Sequence, residues 1–235
     1  MTEQIVTIEH FSDVLCIWAY GGQVRLDELR RQFPEEVAVT YRFIPLFGDT
    51  RQRIGEGWRE RAGYAGFGDH IREVAAGWDH VEVHPGVWRE VAPASSASPH
   101  LFLKAVQLLE ERGELPAGPM DEFQGRSLFE QTAWELRRRF FAKAEDIAQR
   151  EVQDAVAETL GLPVERIRAL SNCGDAHAAL HADLELRDRY QVPGSPTFVL
   201  NGGRQRLFGN VGYRILEANV RELLHNPQSG EASWC

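Results

Sequence analysis

The strands of this chain lie at its two ends. A β-branched run at 5–11, IVTIEHF, and an alternating run at 37–44, VAVTYRFI, open the sequence. Two short runs, TFVL at 197–200 and QRLF at 205–208, follow only after a long stretch without strand character. Runs of this length and composition read as short strands. A pair of strands makes no stable sheet alone. The two pairs are therefore expected to share one sheet, with the intervening chain inserted as a helical block.

Local signals fill in the order. Val24, Leu26, Leu29 and Phe33 space a helix over 16–33, which Pro34 ends. With the flanking strands this makes a β-α-β unit. Residues 48–93 are rich in Gly and Trp and weakly periodic, and predict short helices and ordered loops. Ser98-Pro99 reads as an N-cap and first helical residue, opening a helix with Leu101, Phe102, Ala105, Leu108 and Leu109 on one stripe. Further helices are expected over 120–142, 145–160, 164–170 and 174–190. Asn201-Gly202-Gly203 makes a hairpin of the last two strands. A final helix over 211–224 turns Ile215, Leu216, Val220, Leu223 and Leu224 inward. The fold class is thus α/β, with β-α-β and β-β-α halves around a large all-helical insertion. The expected division is 1–46 plus 186–225 for the sheet domain, 47–185 for the inserted domain, and 226–235 as a loose tail.

Composition excludes several classes. The net charge of −9 argues against general nucleic-acid binding. The densest basic run, Arg137-Arg138-Arg139, sits on a helical pattern and reads as a solvated face. No apolar run approaches a membrane span, and the N-terminus shows neither a basic nor an apolar signal region. Three distant cysteines, Cys16, Cys173 and Cys235, make no disulfide scaffold. The expectation is a cytoplasmic protein with free thiols, no nucleic-acid partner and no membrane partner.

Cys16 falls where the first strand hands over to the first helix. Free N–H groups and the positive end of the helix dipole favour thiolate there, and the thiolate is the nucleophile. Taken alone, Cys16 reads equally well as a small buried hydrophobe. A second segment, Gly194-Ser195-Pro196-Thr197, stands just before the third strand, where a proline is allowed in any sheet.

Phe11-Ser12-Asp13-Val14-Leu15-Cys16-Ile17-Trp18-Ala19-Tyr20 and the stretch from Gly194 to Gly202, in this order around a helical block, resemble the DsbA-like thioredoxin-fold oxidoreductases. The likeness is to their cytoplasmic branch, with relatives among 2-hydroxychromene-2-carboxylate isomerases and kappa-class glutathione transferases. It spans about residues 4–225. It implies a thioredoxin fold, Cys16 as nucleophile, and Trp18 as part of the dipeptide that tunes it. It implies a cis Pro196, with Ser195 and Thr197 beside it at the substrate. Ser12, Asp13, Ala19 and Tyr20 occupy motif positions. Ala19 departs from the pattern, because disulfide oxidoreductases carry a resolving cysteine there; Ile17 also replaces a frequent proline. Cys16 can then form a mixed disulfide that Ala19 cannot resolve. Release falls to an external thiol, to Cys173 or Cys235, or to a second subunit in a homodimer. The implied partner is a thiol or disulfide, small molecule or protein. No tightly bound cofactor is implied; glutathione or another low-molecular-weight thiol enters as co-substrate.

Competing sites are weaker. Glutathione-dependent relatives place serine or a similar group at the Cys16 position and an acid early in the last helix, where this chain has Gly209-Asn210-Val211-Gly212-Tyr213. Cys173, His177 and His181 share a helical face but span too far for one ion, and these histidines, like His80 and His84, read as solvated or locally bonded; no metal is expected. There is no nucleophile elbow for a serine hydrolase. Trp58, Tyr64, Phe67, Trp78 and Trp88 could line an apolar cleft over Cys16, though core packing accounts for them as well. A binding module without catalysis remains the third reading.

Overall fold

The computed structural model describes residues 5–225. The expectations for the 226–235 tail and for Cys235 lie outside the described residues. β1 (Val6–Ser12), α1 (Ile17–Gln32) and β2 (Val37–Phe43) form the first unit, and β3 (Thr197–Leu200), β4 (Gln205–Phe208) and α8 (Tyr213–His225) the last. One four-stranded sheet joins them in the order β2-β1-β3-β4. β1 is central, parallel to β2 with Val6 opposite Val37, and antiparallel to β3 with Phe11 opposite Thr197. That last pairing brings the end of β1, and hence Cys16, beside the Gly194–Pro196 loop.

The strand side chains alternate between two packed faces. Val6, Ile8, Phe198 and Leu200 enter the large core shared with α1, α8 and the helical block. Phe11 and Val199 point the other way, with Ile44, and meet Leu184, Leu186 and Tyr190. These last three belong to α7 (Asp175–Arg189) and its end. Since both faces are covered, β1 is buried along nearly its whole second half.

Between the halves run α2 (Gly63–Ala75), α3 (Ala97–Glu111), α4 (Leu128–Lys143), α5 (Arg150–Thr159), α6 (Val164–Asn172) and α7. A π-helical turn (Arg51–Glu56) precedes α2. The boundary drawn at 185/186 falls inside α7. Several expectations are corrected. The N-cap position of α3 is Ser96, not Ser98, and neither hydroxyl bonds the helix end: that of Ser98 donates to Ala148 O at 3.0 Å. Pro99 still sits in the first turn, where no backbone donor is needed. The helix expected from residue 120 starts at Leu128. Its start is a capping box: Ser127 Oγ accepts the Glu130 N–H at 3.2 Å, and Glu130 accepts the Ser127 N–H at 2.9 Å. α5 starts at Arg150 because Asp146 folds the preceding residues into a turn, accepting from Ala148 N and Gln149 Nε2. Ile215 is exposed rather than inward, and Val24, one of the apolar positions that space α1, is exposed too. Trp58, Tyr64, Phe67 and Trp88 pack on one another and on Phe47, Phe67 and Trp88 buried in the core and Trp58 and Tyr64 partly buried against it.

Candidate functional site

Cys16 is the N-cap of α1. Its carbonyl accepts the N–H groups of Ala19 and Tyr20, which seats the first turn on it. Its thiol donates to the Ser195 carbonyl oxygen at 3.4 Å. The Ser195–Pro196 peptide is cis, and the Pro196 carbonyl accepts the Gly209 N–H at 2.9 Å. Ser195 also reaches the other side of the loop, where its Oγ accepts the Asp13 N–H at 2.9 Å. Two segments far apart in sequence are thus tied by one serine.

Asp13 is wholly buried. Its carboxylate accepts from Leu15 N at 2.8 Å, Phe47 N at 2.9 Å and Ser96 Oγ at 2.7 Å. The Ser96 hydroxyl is therefore committed to Asp13, and so caps nothing on its own helix. His100 Nε2 stands 3.6 Å from Asp13 Oδ1 and accepts the Val14 N–H at 3.0 Å. Accepting at Nε2 places the ring proton on Nδ1 and makes His100 neutral. Burial pulls its pKa down to about 4, against the pull of Asp13. His10, stacked on Phe198 below, is likewise held neutral by burial, with its pKa near 3.

The run Arg137-Arg138-Arg139 is not a solvated face throughout. Arg137 is completely buried, donating to Ser12 Oγ at 3.1 Å and Gln23 Oε1 at 3.2 Å, with its Nε unpartnered. A signal was present in the sequence. Arg137 lies four residues after Ala133 and three before Phe140, on the inward stripe of α4.

The helix position alone predicts an acidic thiol at Cys16, and the structure gives the opposite direction. Burial, with the residue only 6% exposed, pushes the thiol pKa up. A hydrogen bond from the Ser195 side chain and the N–H groups of Ala19 and Trp18 pull it back, while Asp13 adds to the rise. Desolvation outweighs the helix end here.

The remaining motif residues separate by role. Trp18 meets Trp78 edge-on at 5.5 Å, on the rim. Ala19 is buried three residues from Cys16. Tyr20 turns into the helical block, stacked on Phe141 and Trp134, with burial pushing its phenol up to about 12. Thr197 is buried and its hydroxyl donates to Gly194 O at 2.7 Å, holding the loop rather than facing outward. Ser12 binds Arg137. Among the described residues no three His, Cys, Asp or Glu side chains are grouped to hold a metal. His80 bonds Gly21 O and His84 bonds Gly86 N. No helix among them is long and apolar enough to cross a membrane.

A β-α-β/β-β-α sheet with an inserted helical block, and a cysteine at the first helix beside a cis-proline loop, defines a thioredoxin fold of the DsbA-like kind. The DSBA-like thioredoxin domain family matches residues 123–221, from the turn before α4 to within α8 and including the proline loop but not Cys16. Solved structures carry the likeness of fold across 92–97% of the chain. A probable DsbA oxidoreductase of Streptomyces coelicolor is 20% identical, with 97% of this chain and 94% of that one covered and a TM-score of 0.69. The cytosolic disulfide reductase DsbM of Pseudomonas aeruginosa, solved with GSH, is 20% identical over 92% of this chain and 99% of that one, with a TM-score of 0.62. A 2-hydroxychromene-2-carboxylate isomerase is 15% identical over 94% and 97%, also at 0.62. No curated protein matches the sequence.

Proposed function

We propose that this protein is a thiol–disulfide oxidoreductase that works through Cys16 alone. The observation that carries the reading is the contact of Cys16 Sγ with Ser195 O beside the cis Pro196, with alanine at position 19. The Cys16 thiolate attacks one sulfur of a disulfide R–S–S–R. A Cys16–S–S–R bond forms, and R–S⁻ leaves with the electron pair and takes up a proton. An external thiolate, such as glutathione, then attacks the R sulfur. It forms a new disulfide with R and returns Cys16 as thiolate. Ser195 backbone groups and Trp18 border the incoming disulfide. The high thiol pKa makes deprotonation part of the cost of the first step. The similarity to a cytosolic disulfide reductase solved with GSH supports glutathione as the resolving thiol and the cytoplasm as the location.

The test is to incubate the protein with oxidised glutathione and weigh it, with Cys16→Ser as control. A glutathione adduct mapped to Cys16 is the expected result. Modification of exposed Cys173 with Cys16 untouched would sink the reading.

One observation favours a second reading, a glutathione-dependent isomerase or transferase on the same fold. The Cys16 thiol is protonated, buried and donating to a carbonyl, which suits a group that binds or polarises a ligand's sulfur. Reversible binding of reduced glutathione without an adduct would select it.

A further inference from the structure

Burying a guanidinium without a counter-ion is costly, and proteins pair such groups or leave them in water. Arg137 does neither. It is fully buried, its hydrogen-bond partners are the neutral Ser12 hydroxyl and Gln23 amide, and its Nε has none. The Gln23 amide is fixed in this orientation because its Nε2 donates to Asp27, which Arg126 engages with two donors. The nearest carboxylate on this path is thus already neutralised. Ser12, the residue that anchors Nη2, ends β1 and is followed directly by Asp13 and, three residues on, by Cys16. The other buried ion at this junction is Asp13, wrapped in neutral donors and likewise without a cation in contact among the described residues.

We propose that Arg137 is a positioning residue of the Cys16 site: a buried counter-charge that offsets Asp13 and favours the ionised sulfur. The inference rests on Cys16 being the reacting group of the proposed function. Asp13 opposes the thiolate; a charge on Cys16 holds the buried guanidinium ionised, so by reciprocity Arg137 supports the thiolate. The other groups facing this junction do not replace Arg137. His10 of β1 and His100 of α3 are neutral until strongly acid pH. Tyr41 of β2 is a phenol stacked edge-on against His10. Lys104 is engaged by Asp183, Arg126 by Asp27 and Arg30 by Glu130. The structural purpose of holding an unpaired guanidinium under α1 is then the charge that appears when Cys16 ionises.

The experiment is a pH titration of thiolate ultraviolet absorbance in a Cys173→Ser, Cys235→Ser background. Arg137→Gln should raise the Cys16 midpoint by about one pH unit or more, while Arg137→Lys, which keeps the charge, should stay near the parent. An unchanged midpoint in folded Arg137→Gln would overturn the proposal. Should Arg137→Gln alone not fold, Asp13→Asn is compared with Asp13→Asn/Arg137→Gln, whose core carries no unbalanced ion. The double variant should titrate about one unit higher than Asp13→Asn, and equal midpoints would overturn the proposal. The titration needs no disulfide turnover, so failure of the oxidoreductase reading would show in the glutathione adduct assay and not here.

Discussion

The Cys16 thiol donates to the Ser195 carbonyl oxygen at 3.4 Å, closing a loop of 179 residues. The same serine accepts the Asp13 N–H through its hydroxyl. The two bonds use different parts of Ser195, so they can be separated. Ser195→Ala leaves the carbonyl in place and removes only the hydroxyl, stranding a buried N–H. A loss of about 1–3 kcal/mol in unfolding free energy is expected in urea denaturation. A variant as stable as the parent would mean that the Asp13 N–H finds another acceptor.

Position 19 is the place to restore the missing half of the motif. Ala19 is buried and three residues beyond Cys16, with its N–H on the Cys16 carbonyl. Ala19→Cys adds one sulfur to a packed site, at about 1–3 kcal/mol. In return the mixed disulfide gains an internal exit. After oxidised glutathione the variant should be about 2 Da lighter than its reduced form, with no glutathione retained. A persistent adduct on Cys16 would show that position 19 does not reach the sulfur.

These two substitutions mark how far the sequence could be read. The strands, the helix start at Cys16 and the hairpin at Asn201-Gly202-Gly203 follow from local period and turn chemistry, and the structure contains them. Cys16 and Ser195 were legible as a pair only through the family resemblance that their two segments carry together. The layer beneath them was not. Asp13, Ser96, His100 and Arg137 come from four separate places in the chain, and polar side chains in a helical pattern read by default as facing water. For Arg137 the one local hint, its place on the stripe of Ala133 and Phe140, runs against that default. The direction of the Cys16 pKa failed for the same reason: a helix end is a local feature, whereas burial is the sum of everything packed above it.

Acid should destabilise this core through its two buried histidines. His100 has a folded pKa near 4 and His10 near 3, both below an unfolded value of 6.5. The unfolded chain therefore binds protons that the folded chain refuses. Stability is full above about pH 6.5 and falls as pH drops toward 4. His100 alone accounts for roughly 3 kcal/mol across that window. Protonation at Nε2 would also displace the Val14 N–H that it accepts. Urea unfolding at a series of pH values should show this slope, and His100→Gln should flatten it. An identical slope in the variant would show that His100 does not contribute.

The rim of the site depends on a close approach in α1. Gly21 packs directly under the Trp78 ring, where an added Cβ would lie 2.3 Å from Cζ3. Trp78 in turn meets Trp18, two residues after Cys16. In an open helix, glycine to alanine gains about 1 kcal/mol. Here the methyl group must expel an indole, and overpacking of this kind costs about 1–3 kcal/mol. Gly21→Ala should therefore lower stability despite the better helix former. It should also change tryptophan fluorescence as Trp78 and Trp18 separate, and alter the rate at which Cys16 takes up glutathione. A gain in stability with unchanged fluorescence would mean that Trp78 does not rest on Gly21 in solution.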